Sequence, residues 1–337
     1  MSQKLKIVIP MAGLGTRLRP QTWSRPKQLM RMADNSVLGH VLGMFDTLPE
    51  STQVEYVFIV GYLGEKVKAY MDEEYPDFKV HYITQEEMLG QSHALYLARE
   101  HLTGPMLMVF ADTLLETDLS FLDDEASDVV AWVKPVPDPR RFGVAEVGED
   151  GRVTRLIEKP KSMDNNLAVV GFYYFSQGEL LVEAIEEQIE KDIKLKGEYF
   201  LADAINIMLD EHDLAMRTEK VNVWLDAGTP EALLETNRYL LDHGHDNSKK
   251  VAGWEGVKVI PPVYVHPQTE VEASVLGPYV AIGPGCLIKG SVIQNSVIEK
   301  DSQVIQVTLK NSLIGQNTQV KGGAATVNIG DHSTLDL

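Results

Sequence analysis

The run LKIVIPMAGLGTRLRPQTWSRPKQL, residues 5–29, opens with an apolar, β-branched stretch, passes through Gly13 and Gly15, and then sets Arg17, Arg19, Arg25 and Lys27 within eleven residues. Its first six residues read as a strand, and glycines directly after a strand let backbone N–H groups approach an anion closely. The chain as a whole is acidic, with 49 Asp and Glu against 31 Lys and Arg in 337 residues. Cations gathered in one loop of such a chain point to a small anionic ligand. A tight turn with solvated arginines would explain the glycines but not the gathering. Two phosphate-loop patterns do not fit: Leu18 stands where GxGxxG needs its third glycine, and GxxxxGK[ST] is absent.

Outward from this loop, up to about residue 240, short β-rich runs alternate with helical patterns. Strands are read at 5–10, 56–60, 80–83, 106–110 and 129–133. The stretches VLGHVLGMFDTL and SHALYLAREHL repeat apolar residues every three or four positions, as helices do. The spacing predicts an α/β domain, Rossmann-like, with an open and mostly parallel sheet. Residues 242–250, DHGHDNSKK, are polar and aperiodic and read as part of a linker. Beyond Gly256, aliphatic residues return at intervals of six: Val265 to Val271, Ile282 to Ile288, Val292 to Ile298 to Val304, and Ile314 to Val320. Gly, Pro, Asn and Ser fill the turns, as in LGPYVAIGPGCLI (276–288). Such a hexapeptide repeat predicts a left-handed parallel β-helix, each inward aliphatic stacking on the next coil; the alternative is an all-β sandwich with coincidental spacing. The expected division is 1–241 for the α/β domain, 242–255 for the linker and 256–337 for the β-helix.

A net charge of -18 leaves no excess of Lys and Arg to cover nucleic acid or an anionic membrane. The single cysteine, Cys286, excludes an intramolecular disulfide and any CxxC metal site, and reads as a small buried residue. The apolar start is too short and broken for a signal peptide, and no window reaches the roughly 20 apolar residues of a membrane span. A cytoplasmic protein is expected.

Ligands of open α/β sheets bind beyond the carboxyl ends of the strands. MAGLGTR, TQEEMLGQ and ADT follow the first, third and fourth strands. Asp112 in ADT and Asp226 in VNVWLDAGT each end an apolar run; Asp112 could cap a helix, or the two could meet at one hard cation, for which oxygen ligands beside phosphates suggest magnesium.

In the same order, GLGTRLRPQTWSRPKQL, QEEMLGQSHAL, FADTLL, RRFGVAEVGEDGRVTRLIEKP, VVGFYYF, GEYFLADAI and WLDAGTPEALLETN resemble the successive motifs of sugar-1-phosphate nucleotidyltransferases, the nucleotide-sugar pyrophosphorylases. The resemblance covers about residues 5–240, and a hexapeptide domain is common in that family. It implies that Ala12, Gly13, Gly15 and Thr16 cradle nucleotide phosphates, Arg17 holds the β- and γ-phosphates, and Lys27 neutralises the reacting phosphate. Gln85 and Gly90 would read the base, and Gln28 beside Lys27, together with Gln85, suggests a pyrimidine. Asp112 and Asp226 would carry Mg2+. Gly143, Glu158, Lys159, Gly171 and Glu198 would hold the sugar phosphate, Lys159 on its phosphate and Glu158 on a hydroxyl. Met11, Ala111 and Phe142 stand where alanine, glycine and tyrosine are usual.

The implied reaction joins a nucleoside triphosphate to a sugar-1-phosphate and releases pyrophosphate, with dTTP or UTP and glucose-1-phosphate favoured. N-acetylglucosamine-1-phosphate with UTP and mannose-1-phosphate with GTP are the enzyme alternatives. A non-catalytic regulatory subunit of the same fold is the rival of another class; such relatives usually lose the loop cations or metal aspartates that this chain retains. The β-helix is expected to assemble a homo-oligomer rather than to transfer acyl groups, since His266 and His332 lie in no acyl-transfer motif.

Overall fold

A computed structural model describes residues 4–212 and 214–337. The chain forms two compact units: one holds the chain up to Gly13 together with Val41–Trp224, the other Leu14–His40 together with Leu225–Leu337.

In the first unit a nine-stranded sheet runs in the order 153–158, 143–147, 167–175, 106–109, 5–10, 54–60, 80–84, with 129–135 paired on 167–175 and carrying 216–220. The strands expected from the sequence are present at Leu5–Pro10, Val54–Val60, Val80–Thr84, Met106–Val109 and Val129–Pro135. Leu5–Pro10 lies parallel to Val54–Val60 on one side and to Met106–Val109 on the other, with Ile7 opposite both Tyr56 and Leu107. The chain therefore leaves this strand for one flank and later returns to the other, which opens a crevice at the carboxyl ends where the switch occurs. Val8, Val57, Ile59, Met106 and Met108 are fully or almost fully buried, as expected for apolar strands covered on both faces. The strand Leu167–Phe175 joins Met106–Val109 antiparallel and brings Gly171 beside the segment that follows it.

In the second unit three five-stranded parallel sheets stack short strands from Val257 to Asp336 into a left-handed β-helix. Val263 pairs with Val280, and Val280 with Ser296, so a coil is shorter than three full hexapeptides. The core holds Val265, Ile282, Ile288, Ile298, Val304, Ile314 and Val320, matching the sequence intervals. Val292 is the exception: it is 44% exposed and the inward residue is its neighbour Ile293. Corner serines form ladders, Ser274 Oγ accepting from Ser291 N–H at 3.0 Å and Ser296 Oγ from Ser312 N–H at 3.1 Å. They satisfy amides that the turns would otherwise bury unpaired.

The polar stretch read as a linker has a structural task. Asn247 bonds both ways with the backbone of Val265, and Ser248 Oγ accepts from Val263 N–H at 2.8 Å, with a short helix at Ser248–Val251. Strand Val263–Val265 is the outermost of its sheet, so these side chains cover an edge that would otherwise be open. No helix among the described residues is long and apolar enough to cross a membrane.

Candidate active site

In the first unit the strand Leu5–Pro10 delivers Met11, whose N–H bonds Ile59 O at 2.8 Å, and then Ala12 and Gly13. A side chain on Gly61 would stand 2.5 Å from Ala12 O, so the bare backbone at 61 lets the loop lie where it does. Gly13 is exposed, with open space where a Cβ would project. Gln85 follows Thr84 and is buried; its Nε2 donates to Gly90 O at 3.2 Å and meets His93 Nδ1 at 3.3 Å. Gly90 has φ +109° and sits against Tyr199, whose carbonyl oxygen would lie 2.5 Å from any Cβ there. The two residues expected to read the base are thus joined.

Asp112 lies half-buried in the turn that closes when Thr113 N–H bonds Phe110 O at 3.0 Å. Phe110 N–H in turn bonds Gly171 O at 3.0 Å, and Gly171 at φ +80° has no room for a Cβ beneath the Phe110 ring. Gly143 pairs directly with Glu158 across two strands, and a side chain at 143 would come 3.1 Å from Glu158 Oε2. Lys159 is held at φ +48°, its N–H on Phe142 O at 2.9 Å; its ammonium stands 3.4 Å from Glu158 Oε1 and 4.2 Å from the centre of the Phe200 ring. Burial, reinforced by Asp203 and Glu198 and opposed by Lys159, raises the Glu158 carboxyl above its ordinary value. Glu198 is exposed in a turn bridged to Leu195. Gly143, Glu158 and Lys159 thus form one corner, with Glu198 in its electrostatic range.

In the second unit the loop folds through three 3-10 turns, Thr16–Leu18, Gln21–Trp23 and Lys27–Leu29. Gly15 starts the first at φ +61°, and its carbonyl accepts from Thr22 Oγ1 at 2.8 Å. A Cβ at Gly15 would stand 3.1 Å from Thr22 and 3.4 Å from Lys27, so its absence lets the turns close on one another. Thr16 and Arg17 are exposed, Lys27 is half-buried and Gln28 is buried. The Arg17 Nη2 and Asp226 Oδ1 atoms both lie 2.9 Å from the position a Cβ on Gly228 would take. Asp226 Oδ1 accepts from Gly228 N–H at 2.9 Å, and its backbone oxygen accepts from Thr236 on the following helix at 2.7 Å. Loop arginine and motif aspartate therefore meet over one glycine.

Not every loop cation is available to a ligand. Arg25 is 4% exposed and its guanidinium stands 2.6 Å from Glu299 Oε2 on the β-helix. Arg19 stacks its guanidinium on the Trp23 ring at 3.8 Å. The expectation that the whole cluster serves a phosphate is corrected at Arg25: its charge faces a protein carboxylate. Sequence reading also passed over Gly61, Gln21 and Gly228. Only Gly228, inside the LDAGT motif, carried a usable local signal. Cys286 is buried, donates to Glu299 O, and burial pushes its thiol up to about 12, which makes it inert as a nucleophile.

A model of the nucleotidyl transferase family matches residues 6–243. The chain belongs to that family. This nucleotidyl transferase is 29% identical, over 99% of both chains, to a glucose-1-phosphate thymidylyltransferase of Streptomyces antibioticus. It is 30% identical, over 94% of both chains, to the low-salt glycan biosynthesis nucleotidyltransferase Agl11 of Haloferax volcanii. A solved UDP-glucose pyrophosphorylase with UDP-glucose aligns at a TM-score of 0.61 and 20% identity, over 72% of this chain and all of that one, which shows a shared fold. Enzymes of this family work with a divalent metal ion. Asp112 in the first unit and Asp226 in the second each offer carboxylate oxygens, the hard donors such ions take.

Proposed function

We propose that this nucleotidyl transferase makes a nucleotide sugar from dTTP or UTP and glucose-1-phosphate. The observation that carries the sugar-phosphate half is the corner at Gly143, where the missing side chain leaves room beside a half-buried carboxylate and the ammonium 3.4 Å from it. A phosphate oxygen of the sugar-1-phosphate attacks the nucleotide α-phosphorus, the bond from that phosphorus to the bridging oxygen breaks, and pyrophosphate leaves. The attacking phosphate monoester has a second pKa of about 6 and is already ionised at neutral pH, so no general base is required. The task of the residues is to hold two anions together and in line.

In this reading Ala12, Gly13, Gly15 and Thr16 cradle the triphosphate, Arg17 holds its β- and γ-phosphates, and Lys27 faces the reacting phosphate. Gln28, Gln85 and Gly90 select the base. Gly171, Glu198 and the corner of Gly143, Glu158 and Lys159 hold the sugar phosphate. Asp112 and Asp226 would hold Mg2+, whose charge offsets repulsion between the two phosphates. Residues 1–241 carry the chemistry, 242–255 link, and 256–337 assemble the protein into a homo-oligomer, in the cytoplasm. The thymidylyltransferase and the UTP–glucose-1-phosphate uridylyltransferase AglF of Haloferax volcanii, 27% identical over 67% of this chain, support the choice of nucleotides and sugar.

The test is pyrophosphate release with magnesium, pairing dTTP, UTP, GTP, ATP and CTP each with glucose-1-phosphate, then the best nucleotide with other sugar phosphates. Release confined to dTTP or UTP is expected. A strong preference for GTP overturns the base assignment, and silence in all pairs overturns the activity.

A further inference from the structure

The segment that follows Gly13 is fastened to the β-helix at Gln21, Ser24, Arg25 and Arg31. Gln21 is fully buried; its Nε2 donates to Leu313 O at 3.1 Å, Ile329 O at 2.8 Å and Asn328 Oδ1 at 3.1 Å. Ser24 Oγ donates to Asp331 Oδ2 at 2.5 Å, and Arg31 N–H to Glu299 Oε1 at 2.8 Å. Arg25 lies between these anchors, 2.6 Å from Glu299 Oε2 and 3.9 Å from Asp331 Oδ1, with all three side chains no more than 6% exposed. Asp331 is itself fixed, since its Oδ1 accepts from Gln316 N–H at 2.7 Å.

These fastenings adjoin the residues proposed to face the nucleotide. Gln21 precedes Thr22, whose hydroxyl bonds Gly15 O, and Arg25 is separated from Lys27 only by Pro26. Apolar packing would tolerate sliding, whereas a buried cation facing two buried carboxylates has one acceptable position. We infer that the β-helix is a positioning element for the triphosphate loop, with Gln21, Arg25, Glu299 and Asp331 as positioning residues. This rests on the nucleotide-binding role proposed for the loop. Carboxylates from two coils of the β-helix, with one coil between them, face the loop and set where it lies, and the loop sets where Arg17 and Lys27 stand. A displacement of about 1 Å at a charge aimed at a reacting phosphate can cost up to a hundredfold in rate.

The test compares three full-length variants. Glu299→Gln keeps an acceptor for Arg31 N–H and removes the charge facing Arg25; Gln21→Ala removes the other anchor without touching an ion. Val304→Ala loosens the β-helix core, at a fully buried position in a different sheet, as a control for general destabilisation. KM is measured for dTTP and UTP at saturating glucose-1-phosphate, and for glucose-1-phosphate at saturating nucleotide. Amide hydrogen exchange is followed across residues 15–31. The expected result is a nucleotide KM raised about tenfold in Glu299→Gln and Gln21→Ala, a sugar-phosphate KM within twofold of wild type, and faster exchange in 15–31. Val304→Ala should show neither change. Wild-type nucleotide KM in folded Glu299→Gln and Gln21→Ala, or an equal rise in Val304→Ala, overturns the inference. If wild type itself turns over no substrate, the functional reading fails; unchanged exchange across 15–31 in both anchor variants then overturns the positioning role independently.

Discussion

Lys27 and Asp112 are held by different devices. Lys27 opens a single 3-10 turn directly after Pro26, which has no N–H to lose there. Asp112 sits in a turn whose backbone is tied to Gly171, itself restricted to glycine by the Phe110 ring. Each side chain is thus presented by rigid backbone at a place where charge develops in the proposed reaction. Replacing either by alanine is expected to cut turnover about a hundredfold or more, the loss typical of one preorganised charge. Pyrophosphate release under saturating substrates checks this, and near-normal turnover removes that residue from the mechanism. Arg25 shows the limit of reading such residues from sequence. It shares a loop and a charge with Arg17 and Lys27, and what separates them is a carboxylate at position 299, which no local pattern connects to position 25.

At the scale of elements, the strands and their loops were legible because two periods in the sequence are physically unambiguous. Apolar β-branched runs such as VEYVFIV read as buried strands, and the carboxyl ends of such strands then locate Gln85 and Asp112. The six-residue period gave the β-helix, yet it placed Val292 inward where Ile293 is the buried residue, because coils here fall short of three full hexapeptides. The edge-covering function of Asn247 and Ser248 was illegible, since side-chain bonds to a strand leave no periodicity. Another fastening between distant elements carries a pH dependence. Asp34 Oδ1 accepts from His245 Nδ1 at 2.8 Å, and the His245 ring meets His40 edge-on at 5.0 Å. The Asp34 hydrogen bond raises His245 above the usual imidazole value, despite partial burial. Burial would raise Asp34, but the bond and charge of His245 outweigh it and leave its carboxyl below the ordinary value. The stability from His245 is therefore full below its unfolded value of about 6.5 and fades as pH rises through the raised folded value. That from Asp34 is present above about 3.9 and fades in acid. His40 works the other way: burial depresses its imidazole and costs stability in acid. Comparing wild type with His245→Ala isolates the pair. The difference in Tm is expected to be largest near about pH 5 and to shrink above pH 7; a difference independent of pH would show that the pair is not ionised.

For the whole molecule, the strand Val257–Val259 is, among the described residues, the outermost of its sheet in the β-helix. Exposed edges of this kind are covered in stable proteins, which supports the proposed homo-oligomer. Light scattering at micromolar concentration is expected to give a mass of at least two chains, and a monomer overturns the assignment. The second unit joins residues 14–40 to residues 225–337, so its parts lie far apart in the chain. Gln21 and Asn328 are 307 positions apart, and Ser24 and Asp331 likewise. A ribosome adding about 5–20 residues per second makes the loop first and its anchors last, an interval of roughly 15–60 s. During translation the nascent enzyme therefore carries the loop proposed to hold the triphosphate without its anchoring partners on the β-helix. If the β-helix positions the loop as inferred, a polypeptide released before residue 299 is made, even one holding every residue proposed for the chemistry, would lack a fixed place for its nucleotide.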